Sequence, residues 1–398
     1  MHTNKASRWL PAFRRRPTVR RDVFEFNRIE DREPMPSNLG FPTKFLHLLR
    51  CPEDSGQLDL SQQTLVDHGG IVEGSVSCAV CGRQYRIENG IVRLMKGNVT
   101  RENEREIELK DLEYEAMPEA FTPPASGWRS VLLDRLEIPP HLNALAPLNG
   151  RMILEIGCGD GRFTMLMAQL GADVLAVDIS QEGLRRVVRN YQSGIAPTTY
   201  QIAPSRRGAV GSVGLIQADA SAFHVAPRSF DRALSATPLD SRDERMKMYH
   251  TIADCLKEDG CYVGGVEYDD ACRRALGLPL LRRYSPGGIL IEHLDIPTME
   301  REIAPYFLSI RMRPIRAVLP ILKRLRLPVV LQIVAARICS ALPGFRHLGT
   351  ILLVRAERPV RIPVEGARRR DYLRARSLYR RYKQWRGQEA IWDWDQRV

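Results

Sequence analysis

Hydrophobic positions change their period along this chain. MILEI (152–156) is a short continuous apolar run that ends on glycines, and DVLAVDI (173–179) is another. Apolar runs this short, bounded by turn residues, read as strands buried on both faces. FTMLMAQL (163–170) between them and SQEGLRRVVRNY (180–191) after them are spaced as helices, and Ser180 stands where an N-cap belongs. A polar Gly/Pro segment fills 193–212. VGLIQAD (213–219), FDRALSA (230–236) and CYVGGVEY (261–268) read as further strands, with a helix over 241–257. Strands alternating with helices predict an α/β fold with a parallel sheet and crossover helices.

The flanks carry other patterns. Residues 1–40 are rich in Arg and Pro without a period and read as a basic, disordered arm. Residues 41–97 form a small Cys-bearing unit. Residues 98–150 hold an acidic stretch, Glu102 to Glu119, then Pro123–Pro124 and a short helical pattern at Trp128, Val131, Leu132 and Leu136. That segment reads as a linker plus a docking helix. The α/β domain is assigned to 151–360, with an apolar insertion at 316–348, and 361–398 is a basic tail.

Charge sharpens this division. The 398 residues contain 59 Lys+Arg and 47 Asp+Glu, a formal net charge of +12. Counted by segment, 1–50 carries +6, 51–150 carries −7, 151–270 carries −3 and 271–398 carries +16. The excess therefore sits in the arm and the C-terminal region, outside residues 151–270, and speaks to what the chain docks on. No uninterrupted apolar run reaches the roughly 18 residues a spanning helix needs. Eight cysteines are too sparse for a disulfide scaffold. The start, MHTNKASRWLPAFRRRP, lacks the apolar segment of a secretory signal, so a cytoplasmic location is expected.

The chemistry concentrates in Leu154-Glu155-Ile156-Gly157-Cys158-Gly159-Asp160-Gly161, which ends the first strand and opens a helix. Glycines there let the backbone turn sharply and approach a ligand. Asp178 ends the next strand, where a carboxylate can accept both hydroxyls of a ribose. Asp219 ends the third. Such folds bind ligands at the carboxyl edge of the sheet, and all three sites belong there. Glu155, two residues before the first glycine, would repel a pyrophosphate and suits a ligand that carries an amino group.

The loop resembles motif I of the class I S-adenosylmethionine-dependent methyltransferases. AVDIS is similar to that family's ribose-binding motif, QADASAF to its adenine-side motif, FDRALSA to its fourth strand, and DCLKEDGCYVGGVEY to the approach to its fifth. The resemblance implies a Rossmann-like seven-stranded sheet and S-adenosylmethionine as cofactor. It places Gly157, Cys158, Gly159, Asp160 and Gly161 along the methionine and ribose. Glu155 would serve the amine, Asp178 the ribose and Ile179 the adenine face. Asp219 and Ala220 would meet the adenine edge, with Ser235 closing the cofactor set. It also maps the last two, antiparallel strands onto 307–315 and 349–356, with about 33 residues between them instead of a short hairpin.

The small unit contains Cys51-Pro-Glu-Asp54 and, later, Cys78-Ala-Val-Cys81-Gly. Two such knuckles bring four ligands to one tetrahedral zinc. Asn89-Gly90 marks a hairpin turn between alternating apolar residues. The signature is similar to the zinc ribbons that activate methyltransferases and to the ribbons of some rRNA guanine methyltransferases, with Asp54 in place of a second cysteine. A metal-free ribbon held by its own core is the alternative, and His68 is a substitute ligand.

The acceptor is less legible. Many relatives place a His after the fourth strand, but Ser235-Ala-Thr-Pro-Leu-Asp240 has none. The Gly/Pro-rich segment 277–296 lies where relatives cover the acceptor, which makes Tyr284 and His293 the candidate catalytic residues. The expected reaction is methyl transfer to an O or N atom of a small molecule, glycan or lipid-linked metabolite. Two other readings stay open: an RNA methyltransferase gripping phosphates with ribbon and tails, and a non-catalytic scaffold. The apolar insertion and the Arg/aromatic tail 367–388 suit an anionic membrane surface or RNA, so a peripheral membrane location goes with the first.

Overall fold

A computed structural model describes residues 39–61, 64–67, 70–97, 101–117, 128–194, 196–202, 209–236, 239, 241–268, 282–284, 290–316, 328–341 and 349–360. The basic arm before residue 39, the tail from 361, His68 and much of 277–296 and of the insertion lie outside these residues.

The chain begins with β1 (Phe41–Pro42), a 3-10 turn (Thr43–Leu48), β2 (Leu58–Leu60), β3 (Leu65–Asp67), β4 (Gly70–Cys78), β5 (Gln84–Glu88) and β6 (Ile91–Arg93). Two helices follow, α1 (Arg101–Glu115) and α2 (Trp128–Leu145). Then come β7 (Met152–Ile156), α3 (Arg162–Gln169), β8 (Asp173–Asp178), α4 (Gln181–Ser193), β9 (Val213–Gln217), β10 (Phe230–Ser235), α5 (Arg242–Cys255) and β11 (Leu256–Glu267). A short hairpin, β12 (Arg282–Tyr284) with β13 (Leu290–Glu292), precedes α6 (Ile296–Ile303), β14 (Phe307–Ile315), α7 (Val329–Ala341) and β15 (Ile351–Pro359).

Strands β9, β8, β7, β10 and β11 lie side by side and parallel; β15 joins β11 antiparallel, and β14 joins β15 antiparallel and so runs with the parallel strands. In the order of this domain's own seven strands, the sheet runs 3-2-1-4-5-7-6. The two closing strands fall where the sequence places them, at 307–315 and close to 349–356. Local signals set the helices. Ser180 caps α4 by accepting from Gly183 N, and Ser241 with Glu244 forms a capping box on α5. Asp295 accepts from Thr298 N at the start of α6.

The ribbon is not a separate bead. β6 pairs parallel with β9, Ile91 opposite Leu215, so the ribbon strands continue the same sheet. Its apolar residues share one core with the larger domain: Phe41, Phe45, Leu49, Ile87 and Val92 pack in the same buried cluster as Leu175, Val177 and Ile216. Lys44 bonds Asp173 across the junction at 2.8 Å. The other face of the sheet is covered by α2, α3 and α4, where Ile138, Leu142, Phe163, Leu184 and Val187 meet Ile153, Val174 and Val263.

The acidic stretch taken as linker forms α1. None of its described residues is fully buried, and it has no apolar stripe for a pattern to reveal. Polar contacts hold it against α4. Asp111 accepts from the Ser180 hydroxyl at 2.5 Å and from Glu182 N at 3.0 Å. Arg186 donates to the Met117 carbonyl at 2.6 Å.

Candidate functional site

The glycine loop joins β7 to α3 in a conformation that L side chains rarely adopt. Gly157, Gly159 and Gly161 have φ of 74°, 56° and 89°. The loop is tied to the end of β8 at several points. Gly157 N and Cys158 N both donate to the Val177 carbonyl. One Asp178 oxygen accepts from Gly159 N at 2.7 Å and the other from Ser180 N at 2.9 Å. A carboxylate has about four acceptor positions, so Asp178 can hold the loop and still meet a diol.

Glu155 is buried and accepts from the Thr164 hydroxyl at 2.6 Å. Burial pushes its carboxyl up to about 8 against the help of that hydrogen bond. Burial likewise raises Asp160 to about 6, and raises Asp178 against its two backbone donors. Among the described residues none of the three has an ion pair within 4.0 Å. A loop lined by three under-compensated carboxylates favours a ligand that brings positive charge.

Two elements contribute residues that the motifs do not contain. Tyr114 of α1 lies against the loop: a Cβ on Gly159 would come 2.4 Å from its Oη, and one on Gly183 would come 3.0 Å from its ring. Burial and the nearby Asp178 raise this phenol, so it stays protonated. On α2, Asp134, Glu137 and His141 share one face at helical spacing. Arg162, the first residue of α3, donates to Glu137 at 2.8 Å and approaches Asp134 at 3.5 Å. Arg316 reaches the other Glu137 oxygen at 3.2 Å and Glu267 at 3.3 Å. The apolar spacing of α2 was readable; its buried polar face shows only once α3 is packed on it.

At the third strand, Asp219 accepts from Ser221 N at 2.7 Å and holds its own turn, with Ala220 buried beside it. Gln217 donates to the Ile179 carbonyl at 3.1 Å and links the two strand ends. Ser235 ends β10 opposite Gly264 and hydrogen-bonds the buried Tyr262. His293 is buried directly after β13, its Nδ1 3.4 Å from the Tyr268 carbonyl. Tyr284 ends β12 opposite Leu290. The fold thus brings Glu155, Gly157–Gly161, Asp178 and Ser180 together, while His293 stands at the end of β11.

A family model described as a methyltransferase domain matches residues 153–260. Residues 153–260 are a methyltransferase domain. Curated relatives align within it: a ubiquinone biosynthesis O-methyltransferase of Cupriavidus pinatubonensis is 35% identical over 78 residues, 19% of this chain and 31% of the relative. One of Paraburkholderia phymatum is 38% identical over 63 residues, 16% of this chain and 27% of its own length. The chain thus spans under a third of the curated relatives it matches. Among solved structures, an S-adenosylmethionine dependent methyltransferase from Mesorhizobium loti is 20% identical, covering 58% of this chain and 100% of that one at a TM-score of 0.39.

Beside the methyltransferase domain, the ribbon gathers Cys51, Asp54, Cys78 and Cys81. Their ligand atoms all lie within 4.8 Å of one another. The Cys51 and Cys81 sulfurs are 3.7 Å apart. A tetrahedral zinc with bonds of about 2.3 Å would hold sulfurs about 3.8 Å apart, so the cluster fits that ion. Asp54 also accepts from Gly56 N at 2.8 Å, which fixes its carboxylate, and the Cys78 sulfur lies 3.3 Å from it. Tyr85 Oη stands 3.1 Å from the Cys51 sulfur as a supporting contact.

Proposed function

We propose that this chain is an S-adenosylmethionine-dependent O-methyltransferase whose acceptor is a hydroxylated small or lipid-linked metabolite. The observation that carries the cofactor is the loop itself. Glu155 is buried, Asp160 and Asp178 are half-buried, desolvation raises all three, and among the described residues none has an ion pair, while S-adenosylmethionine carries an ammonium and a sulfonium. Gly157, Gly159 and Gly161 would run along its methionine and ribose, Asp178 would take the ribose hydroxyls, and Ile179, Asp219 and Ala220 would border the adenine. When bound, the cofactor supplies an electrophilic methyl group, and the protein positions the acceptor in line with it.

The oxygen acceptor is supported by the names of the matching relatives. Tyr284 and His293, after β11, would contact the substrate. The lipid-linked part rests on α7. Its inner residues Ile333 and Ala336 pack on Leu132 and Leu136 of α2, while Val330, Leu331, Val334 and Ile338 are exposed on the outside. Four cations, Arg316, Lys323, Arg324 and Arg326, precede it in sequence. An exposed apolar face on a helix that follows cations in sequence suits an anionic membrane surface, and among the described residues no helix is long and apolar enough to cross one.

Zinc in the ribbon would be held by Cys51, Cys78, Cys81 and Asp54 and would serve structure, since a closed four-ligand site leaves no position for substrate. The test of the reading is transfer of labelled methyl into cell extract separated into lipid, polysaccharide, RNA and protein. Label in phenolic or lipid-linked material is expected; label in RNA alone would overturn the acceptor class.

A further inference from the structure

His141 has a feature that packing does not explain. The ring is fully buried in α2, and its Nδ1 lies 2.8 Å from the carbonyl oxygen of Glu137. A carbonyl only accepts, so Nδ1 carries the hydrogen and, in the neutral ring, Nε2 keeps a bare lone pair. Burial holds the ring below the ordinary histidine value despite Glu137, so the neutral form is the resident one. Among the described residues Nε2 has no hydrogen-bond partner. A buried acceptor left unpaired keeps its desolvation cost without return, and such a group calls for a reason.

Its position supplies one. A Cβ on Gly265 would come 2.6 Å from Nε2 and 3.3 Å from the Ala236 carbonyl oxygen. Only glycine at 265 lets the ring sit there. Glu155 pairs with Leu234, and Ser235 pairs with Gly264. Two residues past the Glu155–Leu234 pair and one past the Ser235–Gly264 pair, the register sets Gly157, Ala236 and Gly265 level at the carboxyl edge of the sheet. The lone pair therefore lies on the β10–β11 side of the first loop glycine, the side away from Asp178. The charged groups around it are already engaged. Arg162 and Arg316 both hold Glu137, and Arg316 also holds Glu267. The two cations keep Glu137 ionised and oppose early protonation of the ring.

We propose that His141 Nε2 takes the proton of the acceptor hydroxyl during methyl transfer. The proposal rests on the O-methyltransferase reading above. A lone pair of the acceptor oxygen forms the new C–O bond as the carbon–sulfur bond breaks, with that electron pair going to sulfur. The O–H proton passes to Nε2. The products are a methyl ether, a neutral thioether and an imidazolium. His293 shows a weaker form of the same pattern: its Nδ1 lies 3.4 Å from the Tyr268 carbonyl, against 2.8 Å for His141, and its Nε2 too has no partner among the described residues.

Two measurements on the full-length protein test this. Nitrogen-15 NMR of the histidine rings, with and without S-adenosylhomocysteine, should show His141 as the Nδ1–H tautomer at pH 7, titrating below the ordinary histidine value. A protonated or Nε2–H ring at pH 7 overturns the proposal without reference to activity. With an alkyl catechol as acceptor, His141→Gln should lower kcat about a hundredfold or more and remove its rise with pH, while S-adenosylhomocysteine binding stays within about twofold. If wild type methylates the catechol and His141→Gln does so equally fast, this inference fails and the function stands. If wild type binds S-adenosylhomocysteine but methylates no hydroxyl compound, the O-methyltransferase reading fails and the base role falls with it.

Discussion

The hydroxyl of Tyr114 rests against Gly159: a methyl group added to that glycine would meet the Tyr114 oxygen at 2.4 Å. A helix from outside the sheet pattern thus closes over the ligand loop, anchored by Asp111 on the Ser180 cap. Tyr114→Ala is expected to weaken S-adenosylhomocysteine binding about tenfold, or about 1.4 kcal/mol, and Tyr114→Phe much less. Gly159→Ala, at φ 56° and against the ring, is expected to abolish it. Calorimetry on the three variants checks this ranking; Tyr114→Ala binding as wild type would remove α1 from the site.

The raised Glu155 makes both stability and binding depend on pH. Its folded value, about 8, stands above the ordinary 4.5. Between these values the folded state holds more protons than the unfolded one. This contribution to stability is therefore present at low pH and is lost as pH rises towards about 8. A cationic ligand reverses the sign, because it favours ionised Glu155. Its affinity is expected to rise by up to about tenfold from pH 6 to pH 7 and to level off near 8. Glu155→Gln should flatten both curves. Binding curves of wild type and variant across pH 5.5–8.5 decide it (a range of about three units).

The ribbon cluster is expected to hold close to one zinc per chain by metal analysis of the purified protein. Cys78→Ala should lose the metal, and Asp54→Cys should tighten it, because thiolate is the softer donor. A content below a few tenths of an equivalent in wild type would refute the site.

Because ribbon and sheet share a core, they should unfold together. Phe45 is completely buried at that junction. Phe45→Ala is expected to cost about 3–5 kcal/mol. Denaturant unfolding followed by a ribbon probe and by a sheet probe should give coincident transitions in wild type. Separate transitions would show two independent units.

Much of the fold was legible in sequence, for identifiable reasons. Continuous apolar runs such as MILEI and DVLAVDI can only be central strands, and the glycines and Asp178 at their ends fall at the sheet edge. The two closing strands were placed by the family resemblance, and the structure puts them at 307–315 and 351–359. What stayed hidden is held by polar contacts between distant segments. No periodicity announces α1, which is tied down by Asp111, Arg186 and Tyr114. His141 reads as a packed helix residue until Gly265 and Ala236 are brought beneath it. The parallel pairing of β6 with β9, 124 residues away by the Ile91–Leu215 pair and its neighbours, leaves no local mark.

The most direct test of the cofactor site is calorimetric titration of S-adenosylhomocysteine into wild type, Asp178→Ala and Asp178→Asn. Asp178 holds Gly159 and Ser180, so the folded state of each variant is checked by its unfolding transition. The expected result is one site per chain in wild type, weakened about a hundredfold or more in Asp178→Ala and less in Asp178→Asn, which equals a loss of about 2.7 kcal/mol. Absence of binding heat in wild type, or equal affinity in folded Asp178→Ala, would contradict the account.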